Sequence, residues 1–145
     1  MGAVKDIVAE RDAGAVRCGL SGMASPSVAE IAREFGLCDD AALYEEIGEI
    51  DARRLMRVVL HRDMAYGAEI MSEARATGLA DAFVALFDPG TRYFTNGTWY
   101  VPSVIAADGS GHGPEWRSAT DATFDTGVIA IGSARSGCFW VEDED

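Results

Sequence analysis

Cys138 and the two histidines, His61 and His112, are the side chains with the intrinsic reactivity for nucleophilic or general-base chemistry. A cysteine nucleophile needs an imidazole within hydrogen-bonding reach to take its proton. Cys138, however, opens the strand-like run Cys138 to Val141, where a small apolar side chain also suits a core. Metal binding needs several ligands converging, whereas His61 and His112 stand alone and Cys18, Cys38 and Cys138 have no short zinc-type spacing. The sequence therefore implies neither a metal nor a cofactor. Glu115, Asp121 and Asp125 could furnish an acid-base pair if the fold brought two of them together, and solvated loop acids are the plainer reading. Gly109-Ser110-Gly111-His112-Gly113 lacks the Gly-Lys-Ser/Thr ending and following helix of a phosphate loop, and no dinucleotide fingerprint is present. Asn96-Gly97-Thr98 fits a glycosylation acceptor formally, but Asn-Gly is also a strong hairpin-turn signal. No catalytic residue is assigned, and the balance leans away from an enzyme.

Binding chemistry is better represented. Trp116 lies beside Glu115 in a polar stretch, and a large aromatic in an exposed loop can anchor an interface; the alternative is a loop folded over the core. Glu142, Asp143, Glu144 and Asp145 follow a strand-like run and could extend a negative patch toward a basic partner, or act as a solubilising tail. These six residues are the candidate partner-binding set. Arg53, Arg54, Arg57 and Arg62 could hold an anion, but Asp51, Asp63 and Glu69 are placed for pairing along the same helix, which reads as a solvated face. Ser27 to Leu37 resembles the opening of a helix-turn-helix. The acids Asp39, Asp40, Glu45 and Glu46 then fall where a recognition helix would meet phosphates, which argues against DNA reading.

The elements that must position these residues divide near Gly78, with helical spacing before it and short aromatic and β-branched runs after it. Val4, Ile7, Val8, Ala15 and Val16 predict a first helix ending between Cys18 and Gly22. Ser27-x-x-Glu30 is a capping box opening a helix with Val28, Ile31, Ala32 and Phe35 on one face and Gly36 as its stop. Asp39 or Asp40 can cap a short helix through Tyr44 to Ile47, and Asp51 a long one from Ala52 to about Thr77, with Gly67 as a bend or close contact. Beyond Gly78, Phe83 to Phe87 reads as a strand, Asp88-Pro89-Gly90-Thr91 as a turn, and Arg92 to Thr95 as a second strand. Asn96-Gly97 would then turn the chain into Thr98 to Val101, ending at Pro102. Residues 107 to 123 form a loop, and Val128 to Ile131 and Cys138 to Val141 a final hairpin. The fold class expected is α+β in one domain spanning 1–145, with helices in 1–78 covering one face of an antiparallel sheet of about five strands in 79–145.

Charge sets the class of partner. The chain has 145 residues, 12 basic and 24 acidic, for a formal net charge of −12; three of the basic and ten of the acidic residues lie beyond Gly78. Such a field repels nucleic acid and anionic membranes. The N-terminal stretch, with Asp6 and Glu10, lacks the pattern of a secretory signal, no apolar run reaches the 18 or so residues of a membrane span, and an odd number of dispersed cysteines suits a reducing compartment. A cytoplasmic location is expected.

Phe124 to Trp140, with the aliphatic strand Val128-Ile129-Ala130-Ile131, the small-residue turn Gly132-Ser133 to Ser136-Gly137 and the aromatic pair Phe139-Trp140, resembles the sheet hairpin of SUKH-type immunity proteins. The resemblance covers under a quarter of the chain. It implies an acidic cytosolic protein that neutralises a toxin by binding it, without chemistry of its own. Charge and resemblance together lead to the expectation of a non-enzymatic inhibitor of a protein with a basic, nucleic-acid-handling surface, of the toxin-immunity, anti-CRISPR or anti-restriction kind. The alternatives are a small enzyme or ligand-binding domain with a pocket between helices and sheet, and an assembly domain joined through Trp116 and a sheet edge.

Overall fold

The computed structural model describes residues 2–145, with the side chains of Val104 and Ile105 outside the description. Four helices are formed: α1 (Ala3–Glu10), α2 (Val28–Glu34), α3 (Glu49–His61) and α4 (Glu73–Val84). The strands are β1 (Ala15–Leu20), β2 (Glu45–Ile47), β3 (Arg92–Thr95), β4 (Val104–Ile105), β5 (Gly111–His112), β6 (Phe124–Ile131) and β7 (Ser136–Asp143). Five of them make one antiparallel sheet in the order β1-β7-β6-β3-β2, and β4 and β5 form a separate ribbon. The α+β class and the five-stranded antiparallel sheet are as expected. The expected hairpin is the sheet's centre: β6 and β7 pair from Phe124 opposite Asp143 to Ile131 opposite Ser136.

Alternation along β6 and β7 sends side chains to two cores. On one face, Val128, Ala130, Phe139 and Val141 meet Ile7 of α1, Leu55, Met56, Val59 and Leu60 of α3, and Leu79 and Phe83 of α4. On the other, Ile129, Cys138 and Trp140 meet Ile31 and Ala32 of α2, with Leu43 and Tyr44. The expectation that helices cover a single face is thus corrected. The α2 helix needs its own partner for Ile31 and Ala32, and finds it across the sheet.

Several boundaries also differ. Ala15 to Leu20 is an edge strand rather than the end of the first helix, pairing with Gly137 to Glu142. Gly14 makes the change of direction, with φ +60, in a position where a Cβ would collide with the Glu142 carbonyl oxygen and the Asp143 carboxylate. Tyr44 to Ile47 is no helix: Asp40 caps the single 3-10 turn Ala41–Leu43, and β2 follows at the sheet's other edge. The long helix is two. Gly48 rather than Asp51 is the N-cap of α3, and the chain turns back after His61, whose carbonyl accepts the Ile70 N–H at 2.7 Å. Asp63 organises that turn by accepting the N–H groups of Tyr66 (2.6 Å) and Ala68 (3.0 Å) while Gly67 takes φ +69. These hydrogen bonds, led by that of Tyr66, hold the Asp63 carboxyl below its usual range.

Ser72 then caps α4 by accepting from the Arg75 N–H, and the helix runs past Gly78 to Val84, so Phe83 to Phe87 is no strand. Its buried residues Ala76, Leu79, Ala80, Phe83 and Val84 have helical spacing. The turn at Asp88 to Thr91 and the strand Arg92–Thr95 are as expected. Asn96-Gly97, however, does not start a hairpin. Thr98 to Val101 forms no strand, and Gly97 bridges to Trp116 so closely that a Cβ would clash with the Trp116 backbone.

Candidate functional site

The candidate partner-binding residues come to one end of the sheet, through contacts that differ from residue to residue. Trp116 is half-buried rather than free, with its ring 5.1 Å from Trp99 and 5.4 Å from Phe124. It packs on Trp99 and Phe124, two partly buried aromatics at the border of the core. Glu115 beside it stays exposed, tied through its backbone to Thr98.

The four terminal acids separate into two kinds. Asp143 lies within β7 and is buried, so it forms no part of an exposed tail. Its Oδ1 and Oδ2 accept from Arg11 Nη1 and Nη2 at 2.9 and 2.8 Å, and Oδ2 also accepts the Met64 N–H at 2.9 Å. Arg11 donates further to the Val59 and Ala13 carbonyls, so the pair ties α1, α3, the turn after it and β7 together. Glu142 is occupied by Arg17 at 2.9 Å. Glu144 and Asp145 are exposed, with Glu144 accepting from the backbone and hydroxyl of Thr123. A solubilising or partner-facing role is left to these last two.

Asp125 is likewise structural. Fully buried at the start of β6, it accepts from Asn96 Nδ2, the Ala119 and Thr120 N–H groups, the Thr120 hydroxyl and Trp140 Nε1, at 3.0 to 3.2 Å. A carboxylate with every lone pair engaged fastens the 117–120 segment onto the sheet and is poorly placed to transfer protons. Asp121, at the rim, is exposed.

The same end gathers other exposed acids. Ala15 opposite Glu142 brings Asp12 near the end of β7, Thr123 holds Glu144, and the Cys38 N–H donates to the Ala119 carbonyl at 2.8 Å, which draws Asp39 and Asp40 toward Asp121. Seven basic residues, Arg11, Arg17, Arg33, Arg53, Arg54, Arg75 and Arg92, are within ion-pair distance of a carboxylate. Among the described residues Asp12, Asp40, Asp121, Glu144 and Asp145 have no such cation.

The reactive side chains do not converge. Cys138 is fully buried on the α2 face, and burial pushes its thiol far up. Cys18 is raised to about 12 by burial, and Cys38 is exposed. His61 closes α3, its Nδ1 2.7 Å from the Met71 carbonyl, while His112 is exposed on the β5 ribbon. Among the described residues no group of three His, Cys, Asp or Glu side chains is placed to hold a metal ion. Among the described residues no helix is long and apolar enough to cross a membrane.

One concave feature stands apart from the acidic end. Arg54, Arg57 and Val58 of α3 face Trp99, Tyr100 and Pro114 across a cleft of about 440 Å³, and Arg57, Val58 and Trp99 also border a second cleft of about 370 Å³ toward His61. Trp99 Nε1 is buried with no acceptor among the described residues, an arrangement that costs about 1–3 kcal/mol. Sequence reading assigned these arginines to a solvated, intrahelically paired face. Arg53 does pair with Glu49 and Asp81, and Arg54 with Asp51 at 3.6 Å, but Arg57 has no carboxylate partner among the described residues.

Fold and site together define an acidic, antiparallel α+β protein with helices on both sheet faces. The chain matches no protein-family model, and no curated protein or solved structure is significantly similar to it.

Proposed function

We propose that this chain is a non-enzymatic inhibitor that binds a protein partner through a basic surface built for nucleic acid. The observation that supports the reading is the acidic end of the sheet, where Asp12, Asp40, Asp121, Glu144 and Asp145 lack cationic partners. Carboxylates on a rigid scaffold can occupy sites evolved for phosphate, speed encounter and exclude nucleic acid by competition. Exposed Glu115 adds to the charge, and Trp116 supports the loop that carries it. Toxin immunity of the SUKH kind and antagonism of a defence complex, of the anti-CRISPR or anti-restriction kind, are the cytoplasmic roles this physics would serve.

The test is capture of the tagged chain's complexes from its native host at low and high salt, alongside the variant D121K/E144K/D145K. A stoichiometric basic, nucleic-acid-handling protein should be held at low salt, released at high salt and lost by the variant. Capture of no such protein, or equal retention by the charge-reversed chain, would overturn the reading.

A further inference from the structure

We propose that the cleft between α3 and the Trp99–Pro114 segment is a binding site for a small phosphomonoester carrying a planar ring. The lining of this cleft contains two arginines and no carboxylate, in a chain where acids outnumber bases two to one. Arg54 and Arg57 are three positions apart, so they project from one side of α3. Arg57 has no ion pair or hydrogen bond among the described residues, and Arg54 has only the exposed 3.6 Å contact with Asp51, which a stronger anion can displace. A phosphomonoester carries a charge of about −1.5 to −2 at neutral pH, which two guanidinium forks can meet with parallel hydrogen bonds.

The rest of the wall suits the other end of such a ligand. Trp99 and Tyr100 offer aromatic surface, Pro114 a flat apolar one, and Ser103 a hydroxyl. The volume of about 440 Å³ lies in the range of small-molecule sites. Trp99, in the cleft wall, also carries a buried indole N–H without an acceptor in the described structure, a donor still unsatisfied beside the site. The net charge of −12 does not forbid this, because fields beyond about 8 Å are largely screened at physiological ionic strength. This site is separate from the acidic end and independent of the inhibitor reading.

The experiment is calorimetric titration with adenosine 5′-monophosphate, with adenosine and inorganic phosphate as controls, together with ¹H–¹⁵N spectra of the three tryptophan indoles. The nucleotide is expected to bind with a dissociation constant below about 1 mM, about tenfold or more tighter than either control. It should shift the Trp99 indole resonance and leave that of Trp140, bound to Asp125, in place. R57A should weaken binding by about tenfold, and R57K, which keeps the charge but loses the fork, should also weaken it. R135A, on the turn between β6 and β7, should not. No saturable binding, equal binding of the controls, or equal weakening by R135A would overturn the proposal. Because R57K retains charge and stem, a folded R57K that binds as wild type would overturn it as well.

Discussion

Cys18 and Cys138 show how a side chain read for its reactivity can be made inert by where it is placed. The Cys18 thiol is raised from 9.0 to about 12, and the Cys138 thiol is also pushed well up, because burial removes the solvation a thiolate needs. Cys38 is exposed, so at pH 8 a thiol reagent should modify one cysteine in the folded protein and all three after denaturation, as counted by intact mass. Rapid modification of three in the native state would contradict this packing. A pH dependence follows with a definite sign. The folded Cys18 stays protonated where the unfolded one ionises, so its contribution is full below pH 9.0 and is lost as pH climbs toward about 12. Chemical denaturation should show stability falling over that interval, less steeply in Cys18→Ala. Asp125 teaches the same lesson in the opposite chemistry, since its type and loop position suggested acid-base work. Nothing local in the sequence announces that Asn96, Ala119, Thr120 and Trp140 will all aim donors at it.

At the scale of elements, what was legible is what local chemistry determines. The Ser27/Glu30 capping box forms with both reciprocal hydrogen bonds, and the β6–β7 hairpin falls where its apolar alternation and small-residue turn put it. The failures lie where a long-range partner decides. Ala15 to Leu20 carries apolar residues compatible with either period, and becomes a strand because the β7 edge is available 120 residues later. The split of the long helix did have a signal, Asp63 four residues before Gly67, which makes a side-chain-capped turn. The clamp between Arg11 and Asp143 had none, being formed across nearly the whole chain and fully shielded. Arg11→Met should cost about 3–5 kcal/mol in denaturant melts, since it leaves the Asp143 carboxylate buried without its ion partner and with the Met64 N–H as its remaining donor. Adding Asp143→Leu should restore part of that loss but not all, because the Met64 N–H and the Val59 and Ala13 carbonyls would still lack their partners. Full recovery in the double variant would mean those three backbone groups find other partners at little cost.

Over the whole molecule, the excess of negative charge and the ion pairs pull in opposite directions as salt is added. Most of the pairs are exposed, such as Arg33 with Asp39 and Arg92 with Glu46, and contribute little to stability. The shielded Arg11–Asp143 pair is nearly indifferent to ionic strength. Against them stands the mutual repulsion implied by a net charge of −12, which the folded chain concentrates and the unfolded chain relaxes. Raising sodium chloride from about 0.01 M to about 0.1 M shortens the Debye length from about 30 Å to about 10 Å, which removes the long-range repulsion before it weakens contact pairs. The thermal midpoint should therefore rise, by about 3 °C for each kcal/mol of repulsion relieved. The variant D121N/E144Q/D145N should start higher and rise less. Chloride is the salt to use, because sulfate would raise stability by exclusion alone and hide the effect. A midpoint that falls with salt would mean the exposed pairs outweigh the repulsion, and the acidic end would then carry too little unbalanced field to steer a basic partner.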